Sequence, residues 1–131
     1  MPSFSIRSTK IGFIALGLAL ALSGPVLAHG SMKPRHGGQV AMSGETVVEL
    51  VRGPKGVSVY VTEEDEPIAS AGLTGKLVVT QGAKKSDTAL VAGPGNRLDA
   101  AGLKVANGAT VAVIVVTKAT QARSVVNFTA K

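Results

Sequence analysis

From Gln39 onward the chain is a succession of short runs rich in Val and Thr, separated by clusters of Gly, Pro, Asn and Asp. β-Branched residues favour pleated sheet over helix, because a strand leaves their stiff side chains room to pack. Residues 57–62 show the pattern most cleanly. Val57, Val59 and Val61 fall on one side and Ser58, Tyr60 and Thr62 on the other, the period of two that marks a half-buried strand. Similar runs occupy 39–43, 46–52, 76–80, 87–92, 110–117 and 124–129. They are stopped by turn signals at 53–56, 63–67, 81–85 and 93–96. Strands at this spacing, with no helix-period segment between them, predict an all-β fold. The expectation is a single antiparallel Ig-like β-sandwich of about seven strands, spanning residues 39–131. The run 110–117, TVAVIVVT, is apolar on both faces and is expected to be the most central and most buried strand. Residues 98–103, LDAAGL, are the only stretch that could form a helical turn.

The N-terminal region follows a different rule. Arg7 and Lys10 precede an unbroken apolar run at 11–22, then Ser23-Gly24-Pro25, then Val26-Leu27-Ala28. This order is that of a secretory signal with a cut after Ala28, and it predicts a signal helix within residues 1–28. The run falls short of the roughly 20 residues a membrane span needs. With no Cys to carry a lipid, no membrane anchor is expected after cleavage, and the expected compartment is the periplasm. Residues 29–38, HGSMKPRHGG, have no apolar periodicity and are expected to be a flexible arm.

Composition narrows the function. The chain has 131 residues and a formal charge of +6; without Arg7 and Lys10 it is +4. There is no Cys and no Trp, and beyond the leader the aromatic residues are Tyr60 and Phe128. A disulfide scaffold, a Cys-based zinc site and a thiol enzyme are excluded. A surface that stacks sugars or bases is not expected from two aromatics. The cations are scattered rather than striped, so nucleic acid is not an expected partner. From Gln39 onward there is no His, so a catalytic base held by an orienting group cannot be assembled there from His or Cys, and a non-enzymatic protein is expected.

The candidate chemistry sits in the arm. A cut after Ala28 would leave His29 with a free amine beside its own Nδ1, a pair that chelates copper. His36 follows seven residues later, and Met32 lies between them. Imidazole suits Cu(II) and thioether suits Cu(I), so His29, His36 and Met32 are the candidate metal ligands, with copper the expected metal. The alternative is that both histidines are solvated residues of a tail. The acidic run 63–66 could bind a hard cation, but it lacks the Asp-x-Asp-x-Asp-Gly spacing and reads as a solvated turn. Lys84-Lys85 and residues 93–96 read as hairpin turns.

His36-Gly37-Gly38-Gln39-Val40, directly after a signal and followed by residues 46–50 and Val59-Tyr60-Val61-Thr62, resembles a family of small exported bacterial proteins. These carry an H-G-G-x-V motif and are often found alongside heavy-metal efflux and copper-resistance systems. The resemblance continues through Gly75-Lys76, Gly82-Ala83-Lys84-Lys85 and Gly95-Asn96-Arg97-Leu98. It implies a metal-handling role, with a periplasmic or efflux-system protein as partner. Such relatives tend to carry more His in the second strand and in the turn after Y-V-x-D. Glu45, Glu49, Glu63, Glu64 and Asp65 stand there in this chain. The terminal His is similar to that of histidine-brace copper carriers, which take later His and Asp ligands from the sandwich; no later His exists here. The expected function is thus a periplasmic copper-handling accessory. The alternative is an exported Ig-like module that binds a partner protein and has no metal role.

Overall fold

A computed structural model describes residues 32–131. The signal helix and His29 lie outside the described residues. The described chain is all-β and antiparallel throughout, as its alternating pattern requires. β1 (Gln39–Ser43) turns at Gly44 into β2 (Thr46–Gly53), and Pro54-Lys55 lead into β3 (Gly56–Glu63). Glu64 and Asp65 then make a two-residue turn, with φ of 48° and 66°, into the short β4 (Glu66–Pro67). Positive φ at both centres matches the right-handed twist of a tight hairpin. A single 3-10 turn at Ser70–Gly72 precedes β5 (Leu73–Gln81) and β6 (Lys84–Ala92). β7 (Arg97–Ala101), β8 (Thr110–Thr117) and β9 (Arg123–Thr129) complete the described fold.

The strands follow one continuous path, β1-β2-β3-β7-β6-β5-β8-β9, with β4 on the end of β3. The two walls expected of a sandwich are present but joined. At one seam β6 pairs with β7 only through Val91↔Asp99 and Ala92↔Leu98. At the other, side chains bridge β1 and β9. The Gln39 Nε2 donates to the Thr129 carbonyl at 2.9 Å, and its Oε1 accepts from the Lys131 N–H at 3.1 Å. Where β2 begins, the hydroxyl of Thr46 also meets that of Ser124 on β9 at 3.1 Å. The sheet is therefore nearly a closed barrel. In its eight-strand order β2 lies across the core from β5, and β3 from β8.

The interior holds the inward side chains of every long strand. Val48 and Leu50 of β2, Val59 of β3, Leu77 of β5, Val113 of β8 and Phe128 of β9 belong to one cluster. Four details differ from the sequence reading. The described chain has nine strands rather than about seven, because β4 and β7 were not foreseen. LDAAGL, which could have formed a helical turn, is mostly strand β7: Leu98 and Ala100 point inward and are buried, and Asp99 points outward. Lys84-Lys85 begin β6 instead of ending a turn. β8 is also not buried on both faces. Val111, Val113 and Val115 are buried, whereas Ala112, Ile114 and Val116 on the outer face are only partly covered.

Candidate functional site

Glu49 interrupts the apolar run of β2, and strand alternation places it on the outer face of the barrel beside Val47. An outward carboxylate would ordinarily be solvated. Glu49 is instead only 6% exposed, because the segment before β1 folds over it. Its Oε1 accepts from the backbone N–H of His36 at 2.7 Å and of Gly38 at 3.0 Å. Its Oε2 accepts from the N–H of Arg35 at 3.0 Å and lies 3.1 Å from the His36 Nδ1. Residues 35–38, expected to belong to a flexible arm, are thus fastened to the sheet. The sequence signal that went unread is an acid set between apolar neighbours in V-V-E-L-V.

The two glycines after His36 make this docking possible. Gly37 has φ of +72°, a conformation that turns the chain and that L side chains rarely adopt. Gly38 lies so close to β2 that a Cβ would stand 2.3 Å from the Leu50 carbonyl oxygen and 2.8 Å from Val51 Cγ2. The two small residues thus let the N–H groups of Arg35, His36 and Gly38 converge on one carboxylate.

Tyr60 sits directly across from Glu49 on β3. The His36 imidazole lies flat on its ring, with centroids 3.5 Å apart and planes 6° from parallel. Val40, Val47 and Pro67 line the apolar side of an adjoining cleft of about 300 Å³, and Thr62 and Asn96 the polar side. Arg35 reaches Asp65 in the acidic turn at 3.8 Å, between exposed groups.

The protonation states follow from these contacts. Burial is the largest single influence on Glu49 and opposes ionisation. The N–H groups of Gly38 and Arg35, the His36 imidazole and the His36 N–H together outweigh it and hold the carboxyl below the usual glutamate range. An ionised carboxylate can only accept, so the Nδ1 of His36 is the donor. In the neutral ring the lone pair is then on Nε2, for which there is no hydrogen-bond partner among the described residues; the side chain is 39% exposed.

Of the three expected ligands, His36 is held in this way. Met32 is 47% exposed at the start of the described residues, and His29 lies outside them. Among the described residues no group of three or more His, Cys, Asp or Glu is placed to hold a metal ion. No protein-family model, curated protein or solved structure matches the chain.

Proposed function

We propose that the protein is a non-enzymatic metal-handling accessory of the periplasm, with copper as its cargo and His36 as the fixed point of the site. The observation that carries this reading is the 3.1 Å pairing of His36 Nδ1 with the buried Glu49. A metal-binding histidine almost always gives its second ring N–H to a carboxylate or carbonyl, which fixes the tautomer and the orientation of the ring. Glu49 has that relation to His36, and Tyr60 stacks against one face of the ring. His29, through its amine and imidazole, and Met32, as a soft thioether, would supply the remaining ligands from the segment leading into this anchor.

Calorimetric titration with Cu(II) tests the reading, on protein purified as the cell produces it. His36→Ala should weaken binding at least about tenfold, roughly 1.4 kcal/mol. Met32→Leu should spare Cu(II) and weaken Cu(I). One residue added ahead of His29 should damage Cu(II) binding by displacing the free amine. Equal, weak binding by all of these would leave the Ig-like interaction module as the better account.

A further inference from the structure

β8 carries apolar residues on both faces, yet the barrel buries only one. On its outer face Ile114 and Val116 stand beside Val125 of β9, which is 38% exposed. Across β5 the same face continues to Val91 of β6, the most exposed large apolar side chain described, at 69%. Between these lies a shallow depression of about 310 Å³, lined by Thr74, Gly75, Lys76, Ile114, Val116 and Arg123. Lys76 on β5 and Arg123 on β9 flank its aliphatic floor from either side of β8.

Charge is distributed unevenly between the two walls. β5, β6, β8, β9 and the turns joining β5 to β6 and β8 to β9 carry Lys76, Lys84, Lys85, Lys118 and Arg123. Asp87 is their one acid, and it is paired with Lys76 at 3.3 Å. The acids Glu45, Glu63, Glu64, Asp65 and Glu66 lie instead at the hairpin ends of β1 to β4. We propose that the outer face of β5, β6, β8 and β9 docks on an anionic lipid surface, with its aliphatic side chains against the headgroup boundary and its cations over the phosphates.

Two features favour lipid over other occupants. A second copy facing this one would set a face of five cations and one acid against the same face. A protein partner is usually gripped by aromatic anchors in pockets; this face has no aromatic residue, and its one depression is shallow. An aliphatic patch rimmed by cations instead matches a surface of diffuse negative charge, where each Lys or Arg contributes about 1 kcal/mol, or about fivefold in partitioning. Because β5 and β8 lie across the core from β2 and β3, docking would turn the His36 anchor away from the lipid.

Cosedimentation with vesicles decides the matter, using the protein as the cell produces it. Vesicles containing one-third phosphatidylglycerol in phosphatidylcholine are compared with pure phosphatidylcholine at low salt. The protein should prefer the anionic vesicles at least about tenfold and release them as salt shortens the reach of its charges. Lys76→Glu with Arg123→Glu should lower partitioning about 25-fold or more, and Val91→Ser should weaken it further. Lys55→Glu with Lys104→Glu makes the same change in net charge away from this face and should cost several-fold less. All variants share one N-terminal segment and are checked for folding by circular dichroism. No preference for anionic vesicles, or equal losses from the two charge-reversed pairs, overturns the proposal. So does binding to an acidic protein with no binding to vesicles.

Discussion

The His36 and Tyr60 rings lie 3.5 Å apart and within 6° of parallel, although their positions in the chain belong to different elements: the segment before β1 and the middle of β3. The contact exists because Glu49, across from Tyr60, pulls the His36 backbone and ring onto the sheet. Tyr60→Leu removes the stack and keeps the bulk. It should loosen the ring and weaken Cu(II) binding about threefold to tenfold, since aromatic pairs contribute about 0.5–1.5 kcal/mol beyond area. Tyr60→Phe should bind as wild type. Proton NMR gives a check without metal: the His36 ring signals should lose their ring-current shift in Tyr60→Leu and keep it in Tyr60→Phe.

Glu49 should also make stability depend on acid. Its carboxyl titrates below the usual range in the folded chain. The folded state therefore binds fewer protons than the unfolded state in the window between the two values. The stabilisation is fully present above the ordinary glutamate value of about 4.3 and is lost as pH falls through the lower folded value. Glu49→Gln should flatten this part of the curve of urea-unfolding free energy against pH. Glu49→Ala should cost about 1–3 kcal/mol at neutral pH, by leaving the N–H groups of Arg35, His36 and Gly38 without their acceptor. A parallel pH curve for Glu49→Gln would refute the assignment.

Strand alternation was readable where Val alternates with polar residues, as along β3, because one wet face and one dry face leave a visible period. β7 escaped because Leu98-Asp99-Ala100 gives only one and a half periods, and Ala carries little β preference. The outer face of β8 escaped for the opposite reason. Ile114 and Val116 are as apolar as their buried neighbours, so composition cannot tell a covered face from an uncovered one. His36 was legible as chemistry but not as geometry. Its partners Glu49 and Tyr60 come from strands 13 and 24 residues further on, and only the register of β2 with β3 brings them together.

The two faces of β8 give a sharp contrast between adjacent residues. Val113 is fully buried against the core, so Val113→Asp places an unpaired carboxylate in an apolar interior. The cost is several kcal/mol, comparable with the whole stability of a small domain, and the protein should unfold. Ile114→Asp points the same group outward, beside Lys76 on β5 and Val125 on β9, and should leave the fold intact. Circular dichroism of the two variants checks this; a folded Val113→Asp would mean that β8 is turned the other way.

Gly38 offers the most direct test of the docked segment, because its requirement is for space rather than chemistry. A methyl group there would stand 2.3 Å from the Leu50 carbonyl oxygen, which is backbone of a central strand and cannot yield cheaply. In Gly38→Ala the segment must therefore lift from β2. That breaks the Gly38 hydrogen bond to Glu49 and carries the His36 ring off Tyr60. The barrel itself should survive, since its core residues lie on the other face of β2. The expected outcome is a modest loss of thermal stability, faster amide exchange at Arg35 and His36, and the same loss of ring-current shift as in Tyr60→Leu. Gly44→Ala serves as the control. Its added methyl group meets nothing within 4 Å, although its φ of +59° carries a similar backbone strain to any turn glycine. It should lower stability without disturbing either the His36 signals or the exchange of the docked amides. If the two alanine variants behave alike, the H-G-G stretch is an ordinary turn, and the fastening of His36 to Glu49 does not depend on close approach at Gly38.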